Sequence, residues 1–348
     1  MVMRLKGWIM TDLFKDKSPE FKKANEVTIK NANLVGKYLI TWELPSIPIM
    51  VNMLTPFLKK TNSQFQNNSN FIIDEMGMGK TSIVTILQQS NPEYIKILPK
   101  KMYAMNLLDL GNEFYKNSVL IHQDMIGAFS GLSQKTFEQL SGFWTSILSE
   151  HSYQQLGKEI KDANCSVMFP ITKIGWFKAK KLFFDETLID RVTQLIVKPR
   201  DEDEKKEITD FKINREEIDM VKFPKIKLPF SKKHKIIKYD RTLTKEIINL
   251  SHELDEFKVC SITRGSGYIR NFLKANAMLN DRNKINIHDL EMYKLVHSLH
   301  KGTHLSMLQK VRYALSTQGK MSDTDLIQKN DFTRPTFYKY KKQLENTF

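Results

Sequence analysis

The residues best suited to chemistry lie in one run, Phe71-Ile72-Ile73-Asp74-Glu75-Met76-Gly77-Met78-Gly79-Lys80-Thr81-Ser82. Three apolar residues close a predicted strand, two glycines shape a tight loop, and Lys80-Thr81 opens a predicted helix. A strand, a loop, GK[ST] and a helix in that order make the pattern that cradles phosphate. Glycine lets the backbone come close to a phosphate and turn its N–H groups inward. The helix N-terminus adds favourable partial charge. On this pattern the binding stretch is Glu75, Met76, Gly77, Met78, Gly79, Lys80, Thr81 and Ser82. Lys80 reaches the β- and γ-phosphates and Thr81 ligates Mg²⁺, so ATP and Mg²⁺ are the expected ligands. One position departs from GxxxxGK[ST]: its first glycine is Asp74. The plainer reading is a glycine turn leading into an ordinary helix.

Such a loop needs an acid at the end of a neighbouring strand to complete the Mg²⁺ shell and orient water. Asp124 is the candidate, after the apolar run 118–121. His122 and Gln123 stand between that run and the acid. They bear on hydrolysis and not on binding. The plainer role for Asp124 is to cap a turn.

The elements that would position these groups follow from pattern. Residues 94–98, 118–124 and 165–169 read as strands, and 188–191 and 195–197 close the unit. Helices are predicted over 101–114 and 134–150, the latter with Phe137, Leu140, Phe143 and Ile147 at spacings of three and four. Strands alternating with helices predict a parallel sheet with helices on both faces. Before it, 26–29 and 38–42 read as short strands, 49–60 as a helix and 61–70 as a polar loop; Trp8 and Trp42 read as core. After it come a charged run over 201–207 and a Lys-rich, Pro-broken stretch over 222–238. Helices are predicted again over 243–254 and 268–280, and from about 289 to 300. The expected division is an N-terminal extension 1–65, a core 66–200, a charged linker 201–242, a helical lid 243–302 and a small domain 303–348.

The 348 residues carry a formal charge of +15. A basic balance of this size favours polyanions such as nucleic acid or acidic lipid. The run 38–58 is interrupted by Glu43 and by Pro45, Pro48 and Pro56, which makes it a poor membrane span. No secretory leader is legible at the N-terminus, so a cytoplasmic protein with no membrane partner is expected. With only Cys165 and Cys260 there is no CxxC pair, and neither a zinc site nor a disulfide framework is expected.

Several stretches resemble known families. The wording 74–81 resembles the first helicase motif of Swi/Snf-type remodelling ATPases, where the same replacement of the first glycine occurs. Residues 66–300 resemble AAA+ ATPases. By that resemblance Thr172, after the third strand, is the polar residue that senses the γ-phosphate. Arg191, in the stretch 186–192, is the arginine finger that reaches a neighbouring subunit's nucleotide. An arginine suits that role because its planar, always-charged fork spreads over phosphate oxygens; a surface ion pair is the plainer alternative. The stretch 269–290 resembles the helical lid of minichromosome-maintenance helicases and archaeal replication initiators. There the second sensor arginine falls near Arg264 or Arg270, with Arg270 favoured. The resemblance implies a homo-oligomer that can close into a ring.

Residues 321–344 resemble a helix-turn-helix or winged-helix tail, with 334–344 as recognition helix and Pro335 in its first turn. Arg334, Thr336, Lys339, Lys341 and Lys342 would meet DNA. Phe337, Tyr340 and Leu344 would face the core. A basic, solvated helix is the plainer reading. Together the fold class is an α/β P-loop NTPase with a helical lid and a winged-helix or helix-turn-helix domain. The expected function is a DNA-associated ATPase of replication initiation, helicase loading or unwinding. A nucleotide-switched DNA-binding regulator is the alternative. A helicase or translocase, or a viral packaging ATPase, is more distant.

Overall fold

The apolar run before the glycine loop is a strand, and the run after it is a helix. The computed structural model describes residues 13–39, 41–59, 67–123, 133–173, 175–176, 188, 190–197, 205–206, 208–209, 225–230, 237–257, 259–300, 311, 315, 322–329 and 332–345. The strands are β1 (Ser69–Asp74), β2 (Ile95–Ile97), β3 (Lys116–Ile121), β4 (Tyr153–Gln155), β5 (Lys158–Ile160), β6 (Asn164–Thr172) and β7 (Val192–Ile196). Five of them form a parallel sheet in the order β2-β3-β6-β1-β7, while β4 and β5 pair as a separate antiparallel hairpin. Every residue of β1 and β7 is buried. Cover on both faces leaves Phe71, Ile72 and Ile73, and Leu195 and Ile196, as consecutive apolar residues beside the buried polar Ser69, Asn70, Thr193 and Gln194.

The helices divide between the two faces. Before β1 come α1 (Pro19–Ala24), α2 (Glu26–Gly36) and α3 (Glu43–Met53); α4 (Lys80–Ser90) follows the loop. Further on are α5 (Ala104–Leu108), α6 (Asn112–Tyr115) and α7 (Gln134–Ser149), then α8 (Thr244–Glu256), α9 (Ile262–Leu279) and α10 (Ile287–His297). Side chains alternate along each strand. Ile72, Ile121, Met168 and Leu195 share a core with α3, α4, α8, α9 and α10. Phe71, Leu120, Phe169 and Ile196 share the other with α5 and α7, where Leu140, Phe143, Trp144 and Ile147 are buried. A fully buried side chain of this size contributes roughly 2–3 kcal/mol.

Three local expectations change. Residues 26–29 are helix, not strand. Their β-branched types resemble a strand, but Thr28, Ala32 and Val35 are buried at helical spacing. Partners far along the chain hold that helix: Thr28 Oγ1 donates to Asn276 Oδ1 at 2.7 Å, and the Val27 N–H donates to Asn280 Oδ1 at 2.9 Å. Of 38–42, the described residues are turn and loop leading into α3, which starts six residues before the predicted helix at 49 and contains Pro48. The helix predicted over 101–114 is two short ones, α5 and α6, separated where Gly111 takes φ +73°. That backbone region favours glycine and ends a helix.

A seam of amides joins β1 to α3 and α9. Asn52 Nδ2 donates to Asn70 Oδ1 at 2.8 Å and to the Tyr268 hydroxyl at 2.7 Å. Asn68 Nδ2 donates to Asn52 Oδ1 and to the Tyr268 carbonyl, each at 2.9 Å. Asn70 Nδ2 reaches the Thr193 carbonyl of β7 at 3.3 Å. A second group ties the N-terminal helices to α9 and α10: Asn276 Nδ2 donates to Asn25 Oδ1 and Asp289 Oδ1, each at 2.7 Å, and Arg282 pairs with Asp289.

Of the Lys-rich stretch, residues 225–230 are extended, with Ile226, Leu228 and Phe230 buried and Lys225 and Lys227 exposed. Asn91 holds this segment, donating to the Ile226 carbonyl at 2.9 Å and accepting from the Leu228 N–H at 3.0 Å. Lys222, Lys232, Lys233 and Lys235 lie outside the described residues, as do Trp8, Asp124, Glu186, Thr187, Met321 and residues 201–204; so do the side chains of Phe137 and Leu344.

The chain divides after His300 into two compact units. The second holds α11 (Asp323–Lys329) and α12 (Arg334–Glu345) around Val311, Leu326, Ile327 and Phe337. Among the described residues no helix is long and apolar enough to cross a membrane.

Candidate functional site

The loop after β1 is built from backbone. Gly77 and Gly79 take φ +75° and +100°, conformations that side-chain-bearing residues rarely adopt. Gly79 is also the N-cap of α4, and no side chain caps that helix. The first N–H groups of α4 therefore face the loop without a capping side chain, an arrangement suited to an anion. Lys80 is only 7% exposed. Its ammonium donates to the carbonyls of Asp74, at 3.2 Å, and Glu75, drawing the two ends of the loop together. Asp74 occupies the place of the usual first glycine, and its Oδ1 accepts the Glu75 N–H at 2.7 Å. The carboxylate thus caps the start of the loop. Thr81, next along α4, is exposed and Ser82 half-buried.

The neighbours of the loop come from β6. Thr172 is the register partner of Asp74, so it stands beside the loop at the carboxyl edge of the sheet. Its Oγ1 accepts the Gly175 N–H at 3.0 Å. Lys173, one residue on, places Nζ 3.5 Å from Glu75 Oε1, and Lys205 Nζ lies 3.5 Å from Glu75 Oε2. Glu75 thereby gathers two half-buried ammonium groups at the loop. Sequence reasoning missed both lysines. The only signal for Lys173 was its place after a strand end, and Lys205 sat in a charged run that reads as solvated loop.

Sheet order places this ensemble. The connection leaving β1 runs toward β2, whereas that leaving β6 runs toward β7, the opposite way. The loop therefore stands at a point where the winding reverses, outside the carboxyl ends of the strands, where open α/β sheets bind ligands. The strand preceding the candidate acid, β3, pairs with β6 and is one strand removed from β1. After β3, His122 is buried, and its Nε2 is 2.9 Å from the Pro99 carbonyl. A carbonyl only accepts, so Nε2 carries the proton. Thr81 supplies a hydroxyl oxygen at the loop, of the kind a hard cation such as Mg²⁺ takes, while Asp124, the other expected ligand, lies outside the described residues.

Arg191 is at the other edge. It immediately precedes β7, whose first residue Val192 pairs with Ser69 at the start of β1. Five strand steps of about 3.3 Å separate that edge from Asp74, roughly 17 Å. Arg191 Nε donates to Ser149 Oγ. Beside it Asp190 pairs with Arg264 and accepts the Ser261 N–H at 2.7 Å, just before α9. Arg191, Asp190, Arg264, Asn68 and Tyr268 line a cavity of about 260 Å³. The structure thus brings Arg191 and Arg264 together and separates both from Lys80. Arg270 is elsewhere on α9, its guanidinium 4.8 Å from the centre of the Tyr239 ring.

In the C-terminal unit, Phe337 is fully buried and stacks near Phe332, with ring centres 5.7 Å apart; Tyr340 packs against the same core. Arg334, Lys339 and Lys342 are exposed, and Lys339 Nζ lies 5.6 Å from the Tyr340 ring. Thr336 Oγ1 accepts from the Thr333 hydroxyl at 2.7 Å. Lys341 differs from the expectation of an outward basic contact. Its ammonium bridges both carboxylate oxygens of Asp323, at 2.9 and 2.8 Å, and joins the two helices.

A scan of protein-family models and a search of curated proteins find no match to this chain.

Proposed function

We propose that this chain is a DNA-associated ATPase of AAA+ type that acts in replication initiation, helicase loading or unwinding. The observation that carries the proposal is the loop 75–79. Two glycines with positive φ, an uncapped helix start and a buried lysine stand together at the carboxyl edge of a parallel sheet. That combination fits a nucleotide diphosphate. In this reading the N–H groups of the loop and Lys80 hold the β- and γ-phosphates, and Thr172 touches the γ-phosphate from β6. Thr81 and Asp124 hold Mg²⁺, which neutralises charge that builds on the phosphate oxygens when bound. Arg191, about a strand length from its own chain's loop, acts on the nucleotide of a second copy, so the working form is a homo-oligomer. Arg270 belongs to the lid and answers to the bound nucleotide through it. Arg334, Thr336, Lys339 and Lys342 meet duplex DNA, with Lys341 fixing the pose of their helix.

One observation favours a second reading, a nucleotide-switched DNA-binding regulator. The position directly after β3 is His122, with Nε2 engaged by the Pro99 carbonyl. It offers no carboxylate to polarise water.

The rate of MgATP hydrolysis with and without duplex or single-stranded DNA tests the proposal. Saturable hydrolysis stimulated by DNA is expected. Tight ATP binding without turnover under any DNA condition selects the regulator. A chain ending at Gly302 should keep ATP binding and lose most DNA affinity; undiminished DNA affinity would exclude the tail as the reader.

A further inference from the structure

The loop owes its shape to a residue outside it. Trp42 is buried, 1% exposed, in the core shared by α3 and α4. Its indole N–H donates to the Met78 carbonyl at 2.6 Å. A trans peptide is planar, so the carbonyl of one residue and the N–H of the next point in opposite directions. With the Met78 carbonyl drawn toward the indole, the Gly79 N–H points away from the core that Trp42 occupies. That is the direction in which a phosphate-cradling loop needs its donors.

Gly79 is shaped to admit this contact. A Cβ built on it would lie 2.8 Å from the indole nitrogen and 3.4 Å from two ring carbons. The indole can therefore approach only a glycine, and φ +100° is a second, independent requirement for one. The indole is itself held. The Trp42 N–H donates to the Leu39 carbonyl at 3.1 Å, and its carbonyl accepts the Ser46 N–H at 3.0 Å in the first turn of α3. Thr41, just before it, takes φ +67°, a turn that delivers the ring to the loop. Lys80 fixes the other end of the loop through the carbonyls of Asp74 and Glu75.

We infer that Trp42 is a positioning residue of the nucleotide loop: its indole N–H sets the Met78–Gly79 peptide so that the Gly79 N–H faces the diphosphate. This rests on the nucleotide reading above. The diphosphate is common to ATP and ADP, so loss of the indole donor weakens both alike.

The test uses the full chain with MgATP and MgADP. Trp42→Phe keeps an aromatic ring and removes the donor, and Lys80→Ala serves as the control on the nucleotide reading. Trp42→Phe should bind both nucleotides about tenfold more weakly. A ¹H–¹⁵N spectrum of the wild type supplies a readout that a merely structural tryptophan would not move. The Trp42 indole signal, assigned through its intraresidue correlations, should shift on saturation with MgADP. Unchanged affinity in folded Trp42→Phe, with binding lost in Lys80→Ala, overturns the inference and leaves the nucleotide reading intact. A wild type that binds neither nucleotide overturns both. If Trp42→Phe does not fold, the wild-type indole signal decides: a shift supports the inference, and an unmoved signal overturns it.

Discussion

The two edges of the sheet use opposite means to hold positive charge. At the carboxyl edge the donors are backbone N–H groups and lysines: Lys80 on the carbonyls of Asp74 and Glu75, and Lys173 and Lys205 on the Glu75 carboxylate. At the amino edge the charges are arginines, Arg264 on Asp190 and Arg191 on Ser149, around a cavity. An ammonium is a flexible point charge, whereas a guanidinium is a rigid fork. The ammonium groups at the first edge can adjust to their partners, whereas the guanidinium groups at the second present a fixed geometry. Within one chain a strand length separates the two groups.

The largest effect should come from the arginine edge. In the proposed oligomer Arg191→Ala should lower ATP turnover on the order of a thousandfold while ATP affinity of the chain is retained. Next, Lys80→Ala should weaken MgATP binding on the order of a hundredfold in calorimetry. Mixing these two variants should restore part of the turnover, since each supplies the edge the other lacks. Mixtures that demonstrably co-assemble yet stay inactive would break the comparison, because both edges would then be needed in every chain.

Asp190→Ala addresses the amino edge alone. It removes the partner of the Arg264 guanidinium and of the Ser261 N–H, and should lower unfolding free energy by about 1–3 kcal/mol in urea melts. ATP affinity should not change. A change in affinity as large as that of Lys80→Ala would mean that the two edges are coupled inside one chain.

The smallest effect concerns the ground between them. His300 donates Nδ1–H to the carbonyl of Gln194, at 2.7 Å, in the middle of β7. Burial, helped by the nearby His297, pushes its pKa from 6.5 down to about 3. Below about pH 6.5 the unfolded chain takes up a proton that the folded chain refuses, so stability falls as pH falls from 6.5 toward 3. One such group contributes a slope of at most about 1.4 kcal/mol per pH unit. Urea midpoints at pH 7.5, 6 and 5 should decline, and His300→Asn should flatten the decline.

The carboxyl edge was legible in sequence because its signal is local. Gly77, Gly79 and Lys80 stand within four positions of one another, directly after the strand that the apolar residues 71–73 mark. The amino edge was half legible. Arg191 came from a resemblance, while its neighbours Asp190 and Arg264 are separated by 74 positions and meet only through β7 and α9. The same distance in sequence hid Trp42, which reads as core and is core, yet touches the loop 36 residues later. Residues 26–29, the start of α2, were misread because Val27, Thr28 and Ile29 are β-branched and what decides their conformation, Asn276 and Asn280, lies some 250 positions away. Lys341 belonged to a basic stripe by composition; which lysine of the stripe bonds Asp323 is a matter of the turn between two helices.

The amide seam between β1 and α9 has a mechanical consequence. Apolar surfaces resist separation but offer little resistance to sliding, since one methyl group replaces another. The ring formed by Asn52, Asn68, Asn70 and Tyr268 behaves differently. Each amide nitrogen spans two acceptors, and a shift of α9 by a single residue would strand several buried amides at about 1–3 kcal/mol apiece. The joint therefore works like the teeth of a key in a lock, with one admissible alignment and no creep.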